Sequence, residues 1–489
     1  MSQSEVEDLS KLTLEDAQEL SPPSPPKPIN PFLSVPPELL SDILQHCKRP
    51  SYRAEKAEFA RLSRVSKQFL PIAQQLLYRS ITLTLRSSHV TFSKGGKPEQ
   101  LNTTDKANKL LAILLNTSRC ADLVQVLDVT FSEVPIIDEV AAILSHVLTR
   151  TKTLQQLWLI DRGDGFLSTD TNNVQNSARA ISIIAVALTK YLKGSLKVLV
   201  VPQLVLGHDT INTLFSSLSQ LETYKGTMRA NPSDPSLRKK VVSQFRRLYI
   251  TRFISPVDIN FAISASTDSL RYLHLSFRKE NESVYLGNLE NLETLVLSAK
   301  LIVEPMVLPR GTNPSSALQS WTNEAPNKLI SNVLRTAESA RSIATLRHFS
   351  LLTNVHQFLP PHFEKFFLRF PSSIHVFSLD SYACHSLPWP IFLLNHRRLY
   401  PHLRKFILRR PKDSRGDNAA DAKVYFEGID DFEARSGIEI EWIEDDDKKW
   451  GYFTEKMFCP WATGEELFGK ENEYAKKQAQ AANTSCPIS

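Results

Sequence analysis

One short pattern of apolar residues recurs along most of this chain and constrains its fold more than any other feature. An apolar residue is followed by two more at the third and fifth positions after it, in the form Leu-x-x-Leu-x-Leu. Alternate apolar positions of this kind are typical of a β-strand with one buried face. The nine clear copies are Val124–Val129, Leu154–Leu159, Leu196–Val201, Phe245–Ile250, Leu270–Leu275, Leu292–Leu297, Leu346–Leu351, Ile374–Leu379 and Leu403–Leu408. The sequence therefore predicts at least nine strands of one type, and a degenerate copy starts at Leu221.

The segments between these strands contain amphipathic helices. Apolar residues with helical spacing follow Asp138, a favourable N-cap, and the same arrangement follows Asp209. A third helix is predicted around residues 329–334. Strands that alternate with helices predict a parallel sheet, either in an open doubly wound domain or in a solenoid. The regular Leu-x-x-Leu-x-Leu form favours the solenoid, as do steps between copies that include 30, 25, 22, 28 and 29 residues. The longer steps leave room for inserted loops or a second helix.

These copies resemble the leucine-rich-repeat family in an irregular version. The family's usual Asn after the third apolar residue is missing, and residues such as Ser276 and Ser298 stand near that place. The resemblance implies a solenoid over residues 82–443 with insertions between repeats. The alternating segment Ile438–Ile443 is expected to add a closing strand.

A second organised region precedes the repeats, from Phe32 to Ile81. Its first helix is expected to follow two prolines and to carry one apolar face made by Leu39, Leu40, Ile43 and Leu44. A second helix starts near Phe59, and a third runs from Pro71. Since about fifty residues in three short helices make only a marginal core, the region is expected to bind a partner.

The order of these residues resembles the F-box, the module that binds the Skp-type linker of cullin-RING ubiquitin ligases. The family's helix start appears as Val-Pro-Pro-Glu-Leu-Leu at residues 35–40, its Ile-Leu pair at 43–44, and its Val-Cys-Lys-x-Trp segment as Val-Ser-Lys-Gln-Phe at 65–69. Tyr78 stands in place of the final Trp. These departures keep apolar or small side chains, but residues 48–58 form a charged insert. The resemblance implies that the linker-binding residues are Pro36, Pro37, Glu38, Leu39, Leu40, Ile43, Leu44, Leu62, Val65, Phe69, Leu77 and Tyr78.

The charges of the chain are unevenly distributed. Residues 1–31 carry a net charge of −4 and include the Pro-rich stretch 21–28, so a disordered amino terminus is expected there. Residues 32–80 carry +4, residues 81–410 carry +14, and residues 411–489 carry −8. An acidic and largely disordered tail is expected over residues 444–489, which could compete with an acidic target for the basic body.

Five scattered cysteines indicate neither disulfides nor a zinc site, and no apolar run is long enough to cross a bilayer. A cytosolic or nuclear protein without a cofactor is therefore expected.

A protein target is expected on the sheet face that points away from the helices. On each strand, the residues that flank the last two apolar positions point to that face. The candidates are Trp158, Arg247, Tyr249, Tyr272, His274, His348, Asp380, Lys405 and Arg409. Exposed aromatic and cationic side chains in a row suit protein recognition, provided that no loop or tail covers them.

Other functions receive less support from the sequence. It contains no zinc-protease, nucleophile-elbow, phosphate-loop or dinucleotide-binding motif, so we expect no enzyme activity. No zinc finger or RNA-recognition motif accompanies the basic body, so nucleic-acid binding is not expected. The sequence therefore predicts an α/β protein with an F-box and a leucine-rich-repeat-like body. It would be the substrate-recognition adaptor of an SCF-type ligase, and a ubiquitin-independent repeat scaffold is the alternative.

Overall fold

The structure is a computed structural model. It describes residues 36, 39, 59–64, 69–85, 90–92, 98–101, 106–131, 138–161, 171–201, 206–228, 240–252, 255–277, 282–299, 328–353, 368, 371–379, 395–410, 432 and 434–444.

A twelve-stranded parallel sheet forms the body of the protein. Its strands are β1 (Ser80–Leu85), β4 (Val126–Phe131), β5 (Gln156–Asp161), β6 (Val198–Val201), β7 (Thr223–Thr227), β8 (Arg247–Arg252), β9 (Tyr272–Phe277), β10 (Thr294–Ala299), β11 (His348–Thr353), β12 (Val376–Leu379), β13 (Lys405–Arg410) and β14 (Glu439–Glu444). They lie side by side in the order of the sequence, and every neighbouring pair is parallel. Two more strands, β2 (Val90–Phe92) and β3 (Pro98–Leu101), form a separate antiparallel pair. Strict sequential order is consistent with a repeat solenoid.

All nine copies of the apolar pattern are strands, as predicted from the sequence. The degenerate copy forms β7, and the alternating segment near the end of the body forms β14. β1 begins at Ser80, so Ser80 and Ile81 belong to the sheet.

Helices connect many of the strands. They are α1 (Phe69–Arg79), α2 (Lys106–Asn116), α3 (Ser118–Ala121), α4 (Asp138–Arg150), α5 (Thr171–Tyr191), α6 (His208–Ser217), α7 (Pro256–Ile263) and α8 (328–339). The predictions of α4, α6 and α8 are confirmed. α7 was not predicted, although it begins with a capping box: the Ser255 hydroxyl accepts from the amide of Val257, and the Asp258 carboxylate accepts from the amide of Ser255.

The hydrophobic core lies between these helices and one face of the sheet. Alternate strand residues such as Leu127, Val129 and Phe131 join helix residues such as Leu144 and Val147 in one continuous cluster. We call this side of the sheet the core face and the opposite side the second face. The second face also contains buried apolar residues, among them Val200, Val296 and Ile407, but they lie outside that cluster.

A hydroxyl side chain just before the strand links several repeats to the preceding one. Thr153, Ser269, Thr345 and Ser373 each stand directly before the first apolar residue of a copy. Each donates a hydrogen bond to the carbonyl of the first apolar residue of the previous copy, at 2.7 to 3.2 Å; these acceptors are Val124, Phe245, Leu292 and Leu346. This Ser/Thr position links neighbouring repeats through side-chain hydrogen bonds.

Candidate interaction site

The amino-terminal candidate residues fall partly outside the described residues. The candidates that lie outside the described residues are Pro37, Glu38, Leu40, Ile43, Leu44 and Val65. Pro36 is exposed, and Leu39 is helical with 54% of its surface exposed. An exposed leucine on a helix is a side chain that a partner could bury.

A small hydrophobic cluster surrounds Phe59 and Ile72. Leu62, Phe69, Leu76 and Leu77 are half-buried and pack against these two residues. We call this set the Phe59 cluster. It is separate from the core of the sheet. The candidates Leu62, Phe69 and Leu77 therefore contribute to a local core while part of their surface stays accessible.

Tyr78 joins α1 to the body of the protein. Its ring packs against the core of the sheet, and its hydroxyl forms a hydrogen bond with Cys120 on α3. Burial, with a smaller effect of Cys120, raises the pKa of Tyr78 to about 12. Burial also raises the pKa of the Cys120 thiol, against the opposing effect of this hydrogen bond. The structure thus places Tyr78 at the junction of α1 with the body, whereas the sequence assigned it to the partner interface.

The second face brings most of the predicted target-binding residues together. The strand register aligns Arg247 with Tyr272, and Tyr249 with His274. Trp158 lies on the same face of β5. His348 and Lys405 belong to the row of Arg247, further along the sheet. Arg409 lies in β13, and Asp380 lies outside the described residues.

Exposure differs among these residues. Trp158, Arg247, Tyr272, His348 and Lys405 are partly exposed. Tyr249 and His274 are buried, with 9% and 2% of their surface accessible. The sequence analysis expected an exposed row provided that nothing covers the face, and in the structure these two side chains are buried.

A buried polar chain crosses the middle of the second face. The Lys225 ammonium lies 4.6 Å from the centre of the Tyr249 ring, whose centroid lies 3.8 Å from that of His274. His274 Nε2 is 3.2 Å from the Ser298 hydroxyl, which is 2.6 Å from the hydroxyl of Ser276. Only 3% of Lys225 is accessible. Sequence analysis did not select Lys225 as a candidate. Lys225 follows Tyr224 in the degenerate copy, which is the position that supplied target-binding candidates in other copies.

Lys405 is held by two carboxylates of the neighbouring strand. Its ammonium lies 3.3 Å from Glu439 and 2.6 Å from Glu441. Burial lowers the pKa of Lys405, but the hydrogen bonds and charges of Glu441 and Glu439 outweigh that effect, so the pKa is raised. These ion pairs therefore stabilise the packing of β14 against β13. Lys405 would lose them if it bound a target.

His348 shows a different environment in the same row. Its Nε2 atom is 3.0 Å from the Ser378 hydroxyl. Burial lowers the pKa of His348 to about 4, so its ring is neutral at physiological pH. The ring can take part in hydrogen bonds but contributes no positive charge to this face.

Comparison with known proteins gives no family for this chain. No protein-family model matches it, and a search of curated proteins finds no match either. In the described part of the chain, no helix has the length and apolar character needed to cross a bilayer.

Proposed function

We propose that this protein is the substrate-recognition adaptor of an SCF-type cullin-RING E3 ubiquitin ligase. Its amino-terminal helices would bind the Skp-type linker, which connects them to the cullin scaffold. The second face of the sheet would bind a protein target. In this proposal the adaptor catalyses no reaction itself and needs no cofactor.

The exposure of Leu39 is the observation that carries the proposal. Leu39 belongs to the Val-Pro-Pro-Glu-Leu-Leu segment that resembles the start of the F-box, and 54% of it is accessible on a helix. Burial of a leucine side chain in an interface contributes roughly 1.5 to 3 kcal/mol. About half of this contribution is still available at Leu39, and a helix with such a residue is suited to a partner.

The Phe59 cluster gives further support. Four of its six members are half-buried, and the cluster stands apart from the core of the sheet. α1 contacts β1 and α3, and Tyr78 anchors it there. A small helical unit fixed to the end of a large sheet could hold a target at a constant distance from a ligase.

Target binding would use the partly exposed part of the second face. Trp158, Arg247 and Tyr272 combine aromatic surface with a guanidinium group, the residue types that dominate protein interfaces. Their strands belong to one sheet, so their relative positions are fixed before binding. This rigidity lowers the entropic cost of association.

Co-purification from cells tests both halves of the proposal. The wild-type protein should bring down a Skp-type linker and a cullin, and the Leu39→Asp, Ile43→Asp double variant should lose both while it retains the target. The Trp158→Ala, Arg247→Ala, Tyr272→Ala triple variant should show the opposite pattern. If the wild type brings down a target but neither ligase subunit, the protein is a ubiquitin-independent scaffold and the proposal is wrong.

A further inference from the structure

A continuous row of residues runs along the amino-terminal edge of the sheet. Each residue directly precedes its strand, and its carbonyl accepts hydrogen bonds from backbone amides at the start of the next strand in sequence. The row, which we call the edge ladder, consists of Gln125, Gln155, Lys197, Glu222, Arg246, Arg271, Glu293, Arg347, His375 and Arg404. Neighbouring strands lie about 4.8 Å apart, so the ladder places one side chain at each such step.

The charges of the ladder are balanced in its middle. Arg246 lies 3.8 Å from Glu222, and Arg271 lies 3.5 Å from Glu293. All four side chains are well exposed. These pairs leave little net charge over β7 to β10.

The next three positions are basic and lack such balance. Arg347, His375 and Arg404 directly precede β11, β12 and β13, and both arginines are exposed. Within the described residues, neither arginine forms an ion pair. The carboxylates of Glu439 and Glu441, on the adjacent strand, are already bound to Lys405.

The imidazole between the two arginines is held in place. His375 Nδ1 is 2.8 Å from the carbonyl of Ser373, which requires a proton on Nδ1. The ring also stacks on His402, with centroids 5.6 Å apart and planes 14° from parallel. His375 thus lies between two arginines whose backbones are about 10 Å apart.

We infer that Arg347, His375 and Arg404 form a docking site for a carboxylate-rich segment of a partner protein. An extended peptide places side chains of one face about 7 Å apart, so two or three Asp or Glu residues span the site. Guanidinium groups bind carboxylates through paired hydrogen bonds. A nucleic acid fits less well, because the site spans only three strands and Glu293 lies next to it. A continuous phosphate chain would extend past the site and be repelled by the Glu293 carboxylate.

This site differs from the second face, and it does not depend on whether the amino-terminal helices recruit a ligase. The two proposals therefore fail independently of each other. The edge site would persist in a protein that binds no Skp-type linker.

Fluorescence anisotropy with the full-length protein and a labelled hexaglutamate peptide tests the site. Low ionic strength is required, since salt screens exposed charges. The double variant Arg347→Gln, Arg404→Gln should bind the peptide at least about tenfold more weakly than the wild type. The matched control is Lys152→Gln, Lys193→Gln, which removes two exposed cations outside the edge ladder and should weaken binding less than about twofold.

Three results would overturn the inference. Equal weakening by the two double variants would mean that binding follows net charge and not this site. Hexaglutamate that binds no better than hexaglutamine would exclude a carboxylate site. Tighter binding of labelled hexathymidylate, lost in the Arg347→Gln, Arg404→Gln variant, would assign the surface to nucleic acid.

Discussion

The phenol ring of Tyr224 fills the space in which Gly226, two residues further along β7, would carry a β-carbon. A β-carbon at Gly226 would lie 2.7 Å from Tyr224 Cζ and 2.8 Å from a methyl group of Val201. Tyr224 is completely buried, and its hydroxyl donates to the carbonyl of Thr227 at 2.9 Å. The strand thus combines one large and one absent side chain at the positions where β8 has Leu248 and Ile250.

Gly226→Ala should destabilise the protein by about 1 to 3 kcal/mol, because the added methyl group overpacks the core beside Tyr224. Urea denaturation measures the loss. Gly194→Ala is the control, since a β-carbon there meets nothing within 4 Å. Equal stabilities of the two variants would show that Tyr224 does not occupy this space.

Thr345→Val should cost about 1 kcal/mol through the loss of the link between two repeats. The hydroxyl of Thr345 donates to the carbonyls of Glu290 at 2.6 Å and Leu292 at 3.0 Å. Thr149→Val removes only a bond to His146 in the same helix and should have a smaller effect. A thermal melt of both variants makes the comparison, and a larger loss in Thr149→Val would contradict the role of the linking hydroxyl.

His348 should make the protein sensitive to acid. Because the pKa of His348 is lowered to about 4, the folded state keeps the ring neutral while the unfolded state binds a proton below its ordinary value of 6.5. The free energy of unfolding should therefore fall as the pH decreases from about 6.5 towards 4.

His348→Gln should remove about 1 to 2 kcal/mol of the stability loss that the wild type undergoes between pH 7 and pH 5. Urea denaturation at several pH values provides the measurement. His146→Gln, at an exposed position of α4, should retain the wild-type acid sensitivity. A His348→Gln variant that loses as much stability as the wild type would show that this ring is not the cause.

The strands could be predicted because each repeat needs the same alternating apolar residues on its core face. β7 was harder to recognise, since neither Tyr224 nor Gly226 resembles leucine. The Ser-Pro-x-Asp start of α7 and the Ser or Thr before many strands were visible signals that the apolar pattern did not include.

The exposure of the second face could not be predicted in the same way. Alternation places Tyr249 and His274 on that face, but burial depends on what packs there from elsewhere in the chain. The register that brings Lys225 next to Tyr249 likewise joins residues that are distant in sequence. Where the amino-terminal helices lie outside the described residues, they are predicted from the sequence alone.

Direct binding of the purified protein to a purified Skp-type linker tests the central claim most directly. Isothermal titration should give a one-to-one complex with the wild type and a loss of at least about tenfold in affinity for Leu39→Asp, because a buried unpaired carboxylate opposes docking. Val186→Asp replaces an equally exposed apolar residue on α5 and should bind like the wild type. Absence of a wild-type complex, or equal affinity of Leu39→Asp, would contradict the proposal that this chain is a ligase adaptor.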